Sequence, residues 1–346
     1  MVQGDQDRRD SNRLKGAVMT LQRYAGLGMK GMLVTVVAGV IPVFAQSAWP
    51  TKPIRLVVGF SAGGPTDVVA RTFADHAARV LGQPVTVENR PGANTILAAE
   101  AVAAAPPDGY TLLLAATNHT MIPALYSARV KFDAVRSFAP VCTLAISPTV
   151  LVVGSSLPAK SLSDFMQQVK DSPGKRSYGT PGTGSSGHFA SEQFLHLTNL
   201  SMNHIPYKGA AQVVTDIMGG QLDSSFATLG SVLPQVQAGK LTALAVASSR
   251  RSALLPNVPT FSEAGVKGYT ADAWYGLLAP ANTPVLVLQA LEKAARQLVD
   301  QSSTVAKLQG LGMEPHAICR DTFGAQLDRD VKGYLRQAQE LNLKVD

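Results

Sequence analysis

From residue 53 onward, short runs of aliphatic and β-branched residues alternate with stretches whose apolar positions recur three and four residues apart. Ile54-Arg55-Leu56-Val57-Val58 has the length and composition of a buried strand. Residues 68–81 place Val69, Phe73, Ala77 and Val80 on one face, which predicts a helix. A second strand is predicted at 84–87, a second helix at 95–104 with Asn94 as its cap, and a third strand at 111–115.

The middle third repeats the theme. Residues 149–153 read as a strand, and Ser161 with Asp164 three positions on predicts a capped helix to residue 170. A short strand at 177–179 leads through a Gly/Ser-rich loop to a helix starting near 188. Val213, Val214, Ile217 and Met218 mark another helix, stopped by Gly219-Gly220. The last third predicts a strand at 241–247, a capping box at Thr260 and Glu263, and a strand at 274–279. Thr283-Pro284 opens a helix to about 299, and a final helix covers 323–341. Such alternation predicts an α/β protein with a mostly parallel sheet covered on both faces. A chain of 346 residues exceeds what one core usually supports, so two domains are expected.

The first 47 residues follow another pattern. Arg23 and Lys30 precede an apolar run over 31–44, and small residues follow in Ala45-Gln46-Ser47-Ala48. Positive, apolar and small-residue segments in that order describe a cleaved secretory signal, so the mature protein is expected in the periplasm. The run holds 14 residues and Pro42, too few to cross ~30 Å of hydrocarbon. Cleavage after Ala45 and cleavage after Ser47 fit equally well. Met19 would begin a signal of conventional length. Arg8-Arg9 is followed by Asp10 and lies far from the apolar run, unlike a twin-arginine signal.

Charge narrows the partners. The chain carries 31 basic and 24 acidic side chains, a net +7. Six basic and three acidic ones lie in residues 1–47, and the remaining excess of four is scattered. That distribution gives no nucleic-acid footprint, and 6% aromatics offer no base-stacking platform. Cys142 and Cys319 stand alone in apolar settings and read more readily as independent buried thiols, with a bridge formed on export as the alternative. No metal-ligand spacing is present, and no cofactor is expected.

Two glycine-rich loops stand between a strand and a helix. The first offers Phe60, Ser61, Ala62, Gly63, Thr66 and Asp67; the second offers Thr183, Gly184, Ser185, Ser186 and His188. Small residues allow close backbone approach, and a helix start supplies unpaired N–H groups with a positive dipole end. Such a terminus binds a carboxylate without a cationic side chain. Gly182, Gly184 and Gly187 match G-x-G-x-x-G, but His204-Ile205-Pro206-Tyr207-Lys208 supplies no acid where a dinucleotide ribose would need one. Ser185 with His188 suggests a nucleophile and base, yet there is no G-x-S-x-G elbow, and a helix cap fits equally simple chemistry. Thr117 and Asn118 follow a strand end, where they either present a ligand or form a turn. Tyr207-Lys208 either places a cation near an anion or is solvated, and Trp274 either walls a cleft or fills a core.

The ordered segments resemble the substrate-binding receptors of tripartite tricarboxylate transporters, the Bug or TctC family. The resemblance rests on residues 49–58, the loop Gly63-Gly64-Pro65-Thr66-Asp67, Glu88-Asn89-Arg90-Pro91-Gly92-Ala93 and Pro107-Asp108-Gly109-Tyr110. It continues in Phe138-Ala139-Pro140-Val141, Pro206-Tyr207-Lys208-Gly209, Gly219-Gly220-Gln221-Leu222-Asp223 and Trp274-Tyr275-Gly276. It implies a type II periplasmic binding fold, with one lobe from 48–150 and 243–346 and the other from 151–242. It also implies that the two glycine-rich loops face each other and hold a carboxylate through backbone N–H groups, hydroxyls and waters. A monomeric, non-catalytic receptor serving the large and small membrane subunits of the transporter follows; a sensor-kinase partner or a secreted hydrolase are the alternatives. Two departures bear on the solute. Ser61-Ala62 stand where the family has Pro-Pro or Pro-Ala, and Asn94-Thr95 stand where it has Gly-Gly.

Overall fold

The computed structural model describes residues 49–343; the signal-like segment lies outside them. The chain opens with β1 (Ile54–Val58), α1 (Pro65–Leu81), β2 (Val85–Asn89), α2 (Ile96–Ala103), β3 (Thr111–Ala116) and α3 (Asn118–Tyr126). Next come β4 (Phe138–Val153), α4 (Leu162–Lys170), β5 (Ser177–Thr180), α5 (Ser186–Thr198), β6 (Asn203–Pro206) and α6 (Ala210–Met218). Then follow β7 (Ser224–Thr228), α7 (Leu229–Gln237), β8 (Thr242–Val246) and β9 (Asp272–Pro280). The chain closes with α8 (Val285–Asp300), α9 (Ser302–Gly310), β10 (Glu314–Pro315) and α10 (Arg320–Glu340).

The main sheet path runs β2-β1-β3-β9-β4-β7-β5-β6. β1 pairs in parallel with β2 and β3, and β5 in parallel with β6 and β7, so each end of the sheet is a small parallel unit. The sixteen-residue β4 joins them. Its first part, to Pro148, pairs antiparallel with β9, and its last part, from Thr149, pairs antiparallel with β7.

Two separate cores follow from this arrangement. On the first half, Phe73, Leu56, Leu112 and Leu291 pack together on one face, and Val57, Trp274, Phe323 and Leu327 on the other. The central strands there, β3 to Ala115 and β1 from Leu56, are covered on both faces, which explains their aliphatic runs, whereas the edge strand β2 is only half-buried. Under the second half, the Phe194 ring meets Phe165, Phe226, Phe261 and Tyr269 at centroid distances of 5.1–6.2 Å. Full burial of each such ring contributes about 1.5–3 kcal/mol. Leu244, Ala245, Phe261, Val266 and Tyr269 all belong to this second core.

Local signals are realised where side-chain chemistry dictates them. Ser161 Oγ accepts from Asp164 N at 3.1 Å. Thr260 and Glu263 form a reciprocal capping box, at 2.8 and 3.1 Å. The expected cap at Asn94 is not formed. Ala93, Asn94 and Thr95 all have positive φ (46°, 49° and 73°), and no side chain caps α2. This left-handed run explains why glycine suits these positions; asparagine tolerates the region, and threonine is strained there.

The reading of Cys142 and Cys319 as separate thiols is overturned. They form a disulfide, with S–S 2.04 Å, across 177 positions of sequence. Cys142 of β4 and Cys319 form an isolated antiparallel bridge, and Cys319 is the N-cap of α10. Backbone pairing brings the thiols together, which sequence separation could not reveal.

Candidate functional site

The first glycine-rich loop joins β1 to α1. Gly64 caps α1 without any side-chain hydrogen bond, and Pro65 occupies the first turn, so the leading N–H groups stay available. Asp67 is buried beneath the loop and shapes it. Its Oδ2 accepts from Gly63 N and Arg71 Nε, both at 2.9 Å, and its Oδ1 accepts from Asn89 Nδ2 at 2.9 Å. Asn89 Nδ2 also donates to Phe60 O at 3.0 Å. Asp67 is therefore a fastener of the loop rather than a lining residue. Burial alone would raise its pKa, but the hydrogen bonds from Arg71, Gly63 and Asn89 outweigh it and hold the carboxyl below its ordinary 3.8.

A pH dependence follows with a definite sign. A depressed folded pKa stabilises fully above the unfolded value near 3.8, and the contribution is lost as pH falls through the lower folded value. Melting temperature measured from pH 7 to 2 should show an acid limb that is shallower in Asp67→Asn than in the natural chain. Equal limbs would mean that Asp67 does not fasten the loop.

The second loop joins β5 to α5. Ser185 Oγ caps α5 by accepting from His188 N at 3.4 Å. His188 Nδ1 accepts from Gly184 N at 3.2 Å, and its ring stacks on His204 at 4.2 Å. Burial, with a smaller effect of His204, lowers the His188 pKa to about 3. The neutral ring thus ties the loop to its helix. Ser185 and His188 form a cap and a strut, with no hydrogen bond from hydroxyl to imidazole in this arrangement.

The loops meet through the first half's own side chains. Asn94 Nδ2 donates to Gly184 O at 3.0 Å, and Tyr126 OH donates to Thr183 O at 3.0 Å. Asn118 Nδ2 in turn donates to Thr95 Oγ1 at 2.8 Å and to Asn94 O at 3.1 Å.

A cavity of about 120 Å³ lies between the loops. Phe60, Ser61, Ala62 and Thr66 line it from the first loop, Ser185 and Ser186 from the second, and Asn118 from α3. The remaining sequence candidates stand beside it. Gly63, Thr183, Gly184 and His188 shape the loops, as above. Thr117 Oγ1 accepts from Trp274 N at 2.7 Å, which locks β9 to α3. Trp274 is core: 4% exposed, edge-on to Phe323 at 5.4 Å, with Nε1 donating to Asp330 Oδ2 at 3.1 Å. Tyr207 OH donates to Asp216 Oδ2 at 2.7 Å, and burial followed by that bond pushes its pKa up to about 12. Lys208 is exposed.

Sequence reasoning missed one wall. Gly209, Ala211, Val214 and Ile217 of the α6 region, and Phe226 and Val232 of β7 and α7, also line the cavity. Gly209 before an amphipathic run was a readable signal for α6. Ser224–Thr228 has few strand formers and α7 contains Pro234, so that part carried none. No lining side chain is formally charged. Among the described residues, no cluster of ligands could hold a metal ion, and no helix is long and apolar enough to cross a membrane.

The sequence profile of the tripartite tricarboxylate transporter family receptor matches residues 69–333. The chain belongs to this family. A UPF0065 protein of Bordetella pertussis is 38% identical over 269 residues, 77% of this chain and 82% of that one. The periplasmic binding protein BugD superposes with a TM-score of 0.81 at 29% identity, over 86% of this chain and all of that one. The R. palustris protein Rpa4515, solved with adipate, gives 0.82 at 30% identity, again over 86% and 100%. The two-lobed periplasmic binding fold expected from the sequence is therefore the fold of this receptor. Family members of this kind are solute-binding receptors, not enzymes.

Proposed function

We propose that the chain is an exported, non-catalytic receptor that closes over a small organic carboxylate and hands it to the membrane subunits of a tripartite transporter. One observation carries this reading. The uncapped N-terminus of α1 and the serine-rich N-terminus of α5 converge on a cavity without a charged side chain in its lining. Unpaired helix N–H groups and hydroxyls are what such a cavity offers an anion. The adipate held by the R. palustris neighbour is a carboxylate of the expected kind.

We place the lobes at 49–148 with 272–343, and at 149–271, joined through β4, which moves the crossing expected at 243 to the start of β9. The packing of Leu244 to Tyr269 in the second core supports this return crossing at Asp272. The cleaved signal within residues 1–47 directs the chain to the periplasm, where it acts as a monomer.

Ser185→Ala is expected to weaken carboxylate binding by about 1 kcal/mol, the net worth of one hydrogen bond. Titration calorimetry reads the change, and unchanged affinity would remove Ser185 from the site. Two assays test the wider reading. Mass spectrometry of the incubated acid should recover it chemically unaltered, whereas a serine-dependent product would make the protein a hydrolase. Disrupting the gene should abolish uptake of the bound acid in whole cells; intact uptake with lost transcriptional response would make it a sensor.

A further inference from the structure

The Asn118 amide is divided between two tasks. Its Nδ2 faces Asn94 O, a carbonyl that can only accept, so the orientation of the amide is fixed by the network. Nδ2 also donates to Thr95 Oγ1 at 2.8 Å. Oδ1 is left buried without a hydrogen-bond partner, on a residue that is 3% exposed and lines the cavity. A buried acceptor left unpaired is costly, and a site ligand that supplies a donor removes the cost.

The position of this acceptor matters. Asn118 binds Asn94, and Asn94 reaches Gly184 O of the second loop, so Oδ1 lies beside the point where the two loops meet. The lining also includes an apolar set, Val213, Val214, Ile217, Phe226 and Val232. No carboxylate lines the cavity to balance an ammonium group. The N-terminus of α6 is also uncapped, but Ala211 there is exposed, so it lies at the wet rim.

We propose that Asn118 is a specificity residue that accepts a hydrogen bond from a neutral donor on the solute, next to its carboxylate. The solute class is a 2-hydroxy monocarboxylic acid with an apolar body. This rests on the carboxylate-receptor reading above.

Titration calorimetry with 2-hydroxy-4-methylpentanoate, its 2-methoxy ether and the unsubstituted 4-methylpentanoate tests it directly. The hydroxy acid should bind about tenfold more tightly than either analogue, because only it can donate to Oδ1. Malate and citrate should bind at least tenfold more weakly than the hydroxy monoacid. In Asn118→Ala the preference for the hydroxy acid over the ether and the unsubstituted acid should vanish, whatever loss of affinity is common to all three. The ligand comparison on the natural chain stands even if that variant fails to fold. Equal affinity for the hydroxy acid and its ether, or tighter binding of malate or citrate, overturns the inference while leaving the receptor reading intact. A uniform loss for all three monoacids in Asn118→Ala, with the preference retained, would make its role structural and overturn the inference too. Absence of binding by every acid would instead strike the receptor reading itself.

Discussion

Gly184→Val should abolish solute binding, weakening it by at least about a hundredfold, while both halves of the protein stay folded. Gly184 sits at φ +76°, where a β-branched residue is strained by roughly 1–2 kcal/mol. Its added Cβ would stand 2.8 Å from Leu125 Cδ1, 3.1 Å from Asn94 Nδ2 and 3.2 Å from Tyr126 Cε2. All three neighbours belong to the first half, so the valine wedges the two loops apart where they must meet. It would also displace the carbonyl that Asn94 holds and the N–H that His188 holds. A hundredfold loss corresponds to about 2.7 kcal/mol, well within reach of these combined strains. Calorimetry beside a circular-dichroism melt separates the cases. A folded valine variant with normal affinity would mean that the second loop does not form the site.

The disulfide supplies the second large effect. Cys142 and Cys319 close a loop of 177 positions and tie the start of α10 to β4. Loss of a native bridge typically costs about 2–5 kcal/mol, with longer loops toward the upper end. At about 2–4 °C per kcal/mol for domains of this general size, Cys142→Ala with Cys319→Ala should lower the melting temperature by roughly 5–15 °C. A reductant should lower the natural protein toward the variant and leave the variant unmoved. A natural protein whose melting ignores reductant, and whose thiols react without denaturation, would contradict the bridge. An oxidised pair also accords with export, since such bridges persist outside the reducing cytosol.

Much of this architecture is written locally in the chain. The aliphatic runs of β1, β3 and β9 are buried on both faces, so composition alone betrays them. Ser161 and the Thr260–Glu263 box are self-contained motifs whose partners lie three residues away. Elements that depend on distant partners were not readable. α3 and α7 contain Pro123 and Pro234, which argue against helix, and tertiary packing overrides that preference. The bridge of Cys142 to Cys319 needed the sheet to bring them together.

The site divides the same way. The glycine-rich loops announced themselves by small residues before a helix. Their division of labour did not: Asp67 and His188 fasten, Trp274 and Thr117 lock the β9 crossing, and Asn94 bridges. Those roles depend on which backbone atom each side chain reaches, and the reach spans 90 positions for Asn94 and Gly184. The apolar wall from α6 and α7 was hidden because hydrophobic residues there read as ordinary core.

The central claim is that the cavity recognises a carboxylate through helix N-termini rather than through a cationic side chain. A thermal-shift comparison of residues 48–346 with paired small acids and their neutral amides tests it most directly. At ~100 times the dissociation constant, a bound acid adds about 2.7 kcal/mol of stability. The account predicts a clear rise in melting temperature with an acid and none with its amide. Equal shifts from acid and amide would contradict it, as would no shift from any acid in a protein from which denaturation releases no bound anion.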